Sequence, residues 1–382
     1  ITVDASTADC NNLSVAGVVT IGANTLQVSG KIRAYTGTAV TATGADGTFY
    51  SGQTNNTSPG STIITTTGSG VLKFIGTSRN ITNTGEWGST TTGHATEFAL
   101  TSGNTGTLQT GYKSSKITIS SGTIDMGSNR LAPDNGTSGQ GDMTIAAGAT
   151  MISSASAAGS PVMSRTGTAS TGRSGTFTLS GTLRLTGASP FIEFTTITMN
   201  STGTVEFTGT AQTLLQTSYT GAAAINTYNN LTLGGSGVKT SVASQTTTVN
   251  GTLSRQGTAT FANGASATLA YGTGATLEYK GSATQTAAAA EFPTSNGPTN
   301  LIFDNSNNCR LPFSRTVAGN VSVLNGDLQN LSGTGITLTM SGATAALTVN
   351  GSITGTNVGA GNDINLVYSS TSGTLTVSGS GS

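Results

Sequence analysis

Val205-Glu206-Phe207-Thr208-Gly209 and Leu277-Glu278-Tyr279-Lys280-Gly281 are one short phrase written twice. In each, an aliphatic and an aromatic residue alternate with polar ones, and a glycine closes the run. Alternation with period two puts the apolar side chains on one face of an extended strand and the polar ones on the other. Further matches keep the same order. Gln212-Thr213 returns as Gln285-Thr286, and Asn230-Leu231-Thr232-Leu233 returns as Asn300-Leu301-Ile302-Phe303. Asn250-Gly251-Thr252-Leu253 returns as Asn325-Gly326-Asp327-Leu328. The nearly constant offset defines a degenerate super-repeat of about 70–75 residues, and its drift marks loop insertions. The repeat is clearest over 204–274 and 276–350.

The pattern extends upstream. Leu72-Lys73-Phe74-Ile75-Gly76 echoes Leu277 to Gly281, and Cys10-Asn11-Asn12-Leu13-Ser14-Val15 echoes Tyr228 to Leu233. Alternating runs also occur at Lys116-Ile117-Thr118-Ile119, Thr176-Phe177-Thr178-Leu179, Ile336-Thr337-Leu338-Thr339 and Leu347-Thr348-Val349. Helix-friendly sequence is confined to Ala287-Ala288-Ala289-Ala290-Glu291, which Pro293 ends. A repeat of this size holding several short strands fits a small sandwich or three to four solenoid coils of about 20 residues. A sandwich relies on a large aromatic or disulfide-linked core. Here aromatic residues are 5%, Trp87 is the single tryptophan, and Cys10 and Cys309 are the only cysteines. A solenoid needs only small aliphatic residues stacked coil on coil. The chain therefore reads as all-β, a parallel β-solenoid (β-helix) spanning 1–382 as one elongated body, with about 15–19 short coils. Leu231, Leu233, Val249, Leu253, Leu277, Tyr279, Leu301 and Phe303 are expected to point inward, and Thr232, Thr248 and Glu278 outward.

Composition narrows the function. Charged residues are 8%, with 15 basic and 15 acidic, so nothing attracts nucleic acid or an anionic membrane by charge. No apolar run is long enough for a membrane-spanning helix. The two distant cysteines make neither a disulfide framework nor a metal cluster. Scarce Cys and Lys beside abundant Thr, Ser, Asn and Gly suit a secreted protein, and an opening Ile1 suits a processed chain or a segment of a longer one.

Thr204-Val205-Glu206-Phe207-Thr208-Gly209, Tyr228-Asn229-Asn230-Leu231-Thr232-Leu233-Gly234-Gly235-Ser236-Gly237-Val238-Lys239-Thr240 and Thr248-Val249-Asn250-Gly251-Thr252-Leu253 resemble the large repetitive, adhesin-like surface proteins of the Bacteroidota that are exported by the type IX system. The likeness is best over 200–350 and fair over 1–30. It implies a secreted, β-rich protein serving adhesion, gliding or an extracellular matrix.

Residues with chemical potential are few. His94, the only histidine, sits in Thr91-Thr92-Gly93-His94-Ala95-Thr96, which reads as a loop, and no nucleophile elbow accompanies it. Glycosidases need two carboxyl groups facing one another about 5–9 Å apart. Glu193 with Glu206, or Glu206 with Glu278, are the pairs to examine, and solvent-facing strand positions are the simpler reading. Gly234-Gly235-Ser236-Gly237-Val238-Lys239 is similar to a calcium nonapeptide repeat, but Lys239 stands where a carboxylate ligand is required, so calcium is excluded there and a turn is expected. The threonine triplets at 65–67, 90–92 and 246–248 are too irregularly spaced to show a threonine column of the kind that binds ice or crystalline polysaccharide. Asn80, Asn200 and Asn230 begin Asn-x-Ser/Thr triplets that this composition yields by chance.

These readings lead to an extracellular structural or adhesive surface protein without catalysis, cofactor or metal. It is expected to associate head-to-tail through its terminal strands into a filament and to meet a carbohydrate or surface ligand. The alternative is a parallel β-helix that binds or degrades polysaccharide.

Overall fold

The computed structural model describes the backbone over 7–10, 13–15, 18–20, 25–34, 39–43, 48–54, 64–67, 71–81, 95–109, 111–133, 141–156, 162, 175–217, 224–332, 334–354, 363–370 and 374–381, and the side chains of those spans from residue 73 onward, Arg79 and Lys113 excepted. The protein is all-β, without helix among the described residues, and its strands stack in parallel as a β-solenoid. The alanine-rich stretch 287–291 makes a single turn, closed by hydrogen bonds from the N–H groups of Glu291 and Phe292 to the Ala288 carbonyl, and goes no further. The chain divides into two compact units, 1–203 with 215–225, and 204–214 with 226–382.

In the first unit a ten-stranded sheet runs Thr7–Cys10, Thr25–Ala34, Thr48–Thr54, Val71–Gly76, Ala95–Leu100, Lys116–Ser121, Met143–Ile145, Thr176–Leu179 and Thr196–Met199, with Leu13–Val15 also pairing Thr25–Ala34. Arg79–Ile81, Thr105–Leu108, Thr123–Asp125, Thr150–Ser153 and Thr182–Leu185 stack as a second parallel sheet. Inside, Ile117, Met143 and Phe177 lie one above another in register, as do Ile119, Ile145 and Leu179, and all six are fully buried. Phe74 stacks on its register partner Phe98 with ring centroids 4.9 Å apart. The corner between Lys116–Ser121 and Thr123–Asp125 falls on Gly122, with φ of +73°. A Cβ there would come within 2.7 Å of the Leu100 Cβ, so the bend requires glycine.

In the second unit eight strands stack in one parallel sheet: Thr204–Phe207, Asn230–Leu233, Thr252–Gln256, Thr276–Gly281, Asn300–Leu311, Val321–Asn330, Ala346–Val349 and Thr376–Ser378. Register links Val205, Leu231, Leu253, Leu277, Leu301, Val321, Leu347 and Val377 into one inward column. The first six are fully buried, each worth about 1.5–3 kcal/mol relative to exposure.

This column explains the sequence repeat. Val205 reaches Leu277 by way of Leu231 and Leu253, so the offset between the two phrases is three coils, and Leu231 reaches Leu301 by the same three steps. The match of 250–253 with 325–328 is different. Leu253 continues to Leu277, Leu301 and Val321, whereas Leu328 pairs with Cys309 and Ile353 in a neighbouring column. That likeness is one of composition and not of register.

All eight residues expected inward are buried. Of the three expected outward, Thr248 and Glu278 are half-buried, but Thr232 is only 9% exposed. The register stands, since Leu231 and Leu233 on either side are fully buried. Thr232 is a short side chain held between Glu206 and Ser254 of the adjacent coils, and so it is shielded on its own face. Asparagines at strand starts bridge coils as well: Asn300 Oδ1 accepts from the Asn320 N–H and Asn320 Oδ1 accepts from the Ala346 N–H, each at 2.9 Å.

Candidate functional site

Glu206 and Glu278, one of the two carboxylate pairs named by the sequence, do not face one another. Glu206, Thr232, Ser254 and Glu278 are successive register partners on the outward face of the second unit. Glu206 and Glu278 are therefore three strands apart, about 14 Å at the usual inter-strand spacing, which is beyond glycosidase range. Glu193 belongs to the first unit, where it is buried between Ile192 and Phe194. His94 lies outside the described residues. Glu278 is bound into its own surroundings. Its Oε2 accepts from the Ser254 hydroxyl at 2.6 Å, while the Lys280 ammonium lies 3.6 Å from its Oε1 and 3.3 Å from Asp304 Oδ2. Those two carboxylates, Glu278 first, hold the Lys280 ammonium above its ordinary pKa.

The glycine-rich loop at Lys239 does gather oxygen ligands, and the lysine itself takes them. Gly235 and Gly237 turn at φ of +69° and +70°. The fully buried Lys239 Nζ donates to the carbonyls of Gly209, Thr210 and Ser236 at 2.6, 2.5 and 3.0 Å. The ammonium fills the place a cation would occupy, and burial lowers its pKa to about 8.

A second buried polar cluster escaped the sequence reading. Arg255 stands in an inward column, with Leu233 and Tyr279 as its register partners. It forms an ion pair with Glu291 Oε1, which also accepts from the Tyr279 hydroxyl and the Ala288 N–H, each at 3.0 Å. Tyr271 donates to the Glu291 carbonyl at 2.6 Å. Burial raises the Glu291 carboxyl and Arg255 opposes the rise. The cluster anchors the turn 287–293 against the coil interior. The signal was parity: Arg255 is two residues beyond Leu253, hence on the same face. Cys309 is buried nearby, its thiol pushed up to about 12 by burial. Cys10 lies in the strand Thr7–Cys10, and its side chain is outside the described residues.

The outward face of the first unit corrects one expectation. Threonine columns exist, built from single threonines one coil apart and not from the triplets. Thr118, Thr144, Thr178 and Thr198 are successive register partners in the ten-stranded sheet. Thr105, Thr123, Thr150 and Thr182 are successive partners in the second sheet. These eight hydroxyls make no hydrogen bond among the described residues. Below Thr118 the first column continues to Glu97 and Lys73, whose side chains pair at 2.9 Å. Such a face offers rows of hydroxyl donors and acceptors. Among the described residues no group of three or more His, Cys, Asp or Glu is placed to hold a metal. No protein-family model, curated protein or solved structure matches this chain.

Proposed function

We propose that this chain is a non-catalytic structural or adhesive protein of the cell exterior, secreted and built to present long faces. The separation of Glu206 and Glu278 along one column supports this reading best, because stacking turns equivalent carboxylates into a spaced ladder and not a facing pair. Outward hydroxyl and amide ladders and the low charge are consistent with a surface exposed to the medium. The sequence resemblance to type IX-exported surface arrays points the same way.

The test is incubation of the purified chain with neutral and acidic polysaccharides, together with antibody labelling of intact cells. Surface labelling without release of reducing ends or unsaturated products is expected. Reproducible product release would instead establish the alternative, a polysaccharide-degrading β-helix.

Head-to-tail association into a filament belongs to the same reading. Val377, in a column whose members Val321 and Leu347 are buried, is 65% exposed on the strand Thr376–Ser378. Sedimentation at increasing concentration should show assemblies that Val377→Asp abolishes, and a monodisperse chain at high concentration would remove the filament.

A further inference from the structure

We propose that the ladder Thr118–Thr144–Thr178–Thr198 binds an extended, uncharged, unbranched polysaccharide, a β-1,4-linked glucan in particular. This rests on the adhesive reading above and supplies its ligand. The ladder hydroxyls are unspent. In the second unit several outward hydroxyls are consumed internally: Thr246 bonds Thr268, Ser254 bonds Glu278, and Ser352 and Thr354 bond Asp327. The four ladder threonines bond nothing described and are half-buried or, at Thr198, exposed.

Each threonine presents a hydroxyl beside a methyl group, matching a pyranose ring with equatorial hydroxyls and axial C–H bonds. The hydroxyls repeat at about 4.8 Å over roughly 14 Å, a step close to the rise per sugar of an extended β-1,4 chain, so each sugar lies beside one threonine. Threonine is stiff at χ1, and the strands beneath are packed through Ile117, Met143, Phe177, Ile119, Ile145 and Leu179, so little ordering remains to be done on binding.

In the adjoining outward positions Lys116 and Asp142 are both exposed and of opposite sign, and Lys73 and Glu97 neutralise one another. A polyanion or polycation finds no matching field, whereas a neutral chain needs none. Lys116 and Asp142, beside Thr118 and Thr144, interrupt the flat double array of threonines that an ice surface would require.

The experiment is depletion of the full chain from solution by microcrystalline cellulose, with reducing ends assayed in parallel. Wild type should adsorb. Thr144→Val with Thr178→Val, which keeps side-chain shape, should bind at least about tenfold more weakly through loss of two hydrogen bonds. Thr144→Ser with Thr178→Ser should retain binding, and circular dichroism should show both variants folded. Absence of adsorption, equal adsorption by the Val variant, or inhibition of ice growth without adsorption to cellulose would each overturn the proposal while leaving the non-catalytic reading intact. Release of reducing ends would overturn that reading instead.

Discussion

Arg255 and Tyr279 are register partners on adjacent coils of the second unit, and the guanidinium carbon lies 5.4 Å from the centroid of the tyrosine ring. A position that elsewhere in the column holds Leu233, Phe303 or Val323 is thus given to a buried cation, held by Glu291 from the turn that follows the Gln285–Thr286 strand.

Removing one partner of this pair should cost far more than removing both. Arg255→Leu leaves Glu291 without its ion-pair partner in the interior, a loss of about 3–5 kcal/mol. Arg255→Leu with Glu291→Leu removes both charges and should recover most of that stability. Urea unfolding of the two single variants and the double completes the cycle, and additive losses would show that the pair is not coupled.

Two glycines with similar backbone angles should respond differently to alanine. Gly326 has φ of +65°, and a Cβ there would sit 2.0 Å from the Asn305 carbonyl oxygen and 2.1 Å from that of Asn307. Gly274 has φ of +79° and open space around it. Gly274→Ala should lose only the left-handed penalty, about 1 kcal/mol. Gly326→Ala should lose several times more, because the obstacle is backbone. It should also loosen Asn305, which donates to Gln285 Oε1 and the Ala283 carbonyl. Thermal unfolding of both variants measures the difference.

Period-two alternation was enough to place Leu277, Tyr279, Leu301 and Phe303 inside and to identify stacked parallel strands, because each coil repeats the same inward pattern. The threonine ladders were hidden for a geometric reason. A column takes one residue per coil, and coil length varies, so that the step from Thr118 to Thr144 is shorter than the step from Thr144 to Thr178. No fixed sequence period connects such residues. Arg255 was hidden for a chemical reason: its charge argues for solvent while its parity with Leu253 argues for the core, and only Glu291, distant in sequence, resolves the conflict. The Lys239 cage likewise depends on Gly209 and Thr210 from the preceding coil.

Acid should weaken the ladder around Asp327. Burial alone would raise its carboxyl, but hydrogen bonds from Ser352, Thr354 and Gln329 outweigh it and hold the pKa below the ordinary value. A carboxyl lowered by folding adds stability above its unfolded pKa and loses it as pH falls through the folded one. Thermal unfolding from pH 7 downward should fall less steeply in Asp327→Asn than in wild type, and parallel curves would remove Asp327 from the account.

Alkaline conditions should act on Lys239 with the opposite consequence. Its folded pKa of about 8 lies below the ordinary 10.5, because burial disfavours the ammonium. Between those values the unfolded chain holds a proton that the folded chain has released. Stability therefore rises with pH across this window on account of this group, and the contribution fades as pH falls through 8. The neutral amine still donates two hydrogen bonds to the three carbonyls of Gly209, Thr210 and Ser236, so the cage need not open as the proton leaves. Lys239→Met removes the titrating group while filling similar volume. It should be less stable than wild type at both pH 7.5 and pH 9.5, about 1–3 kcal/mol for buried carbonyls left without donors. The diagnostic quantity is the change in stability between the two pH values, from urea unfolding of wild type and variant. Wild type should gain relative to Lys239→Met on going to the higher pH. An equal pH dependence in the two proteins would mean that Lys239 keeps its proton throughout, with the three carbonyls compensating fully for burial.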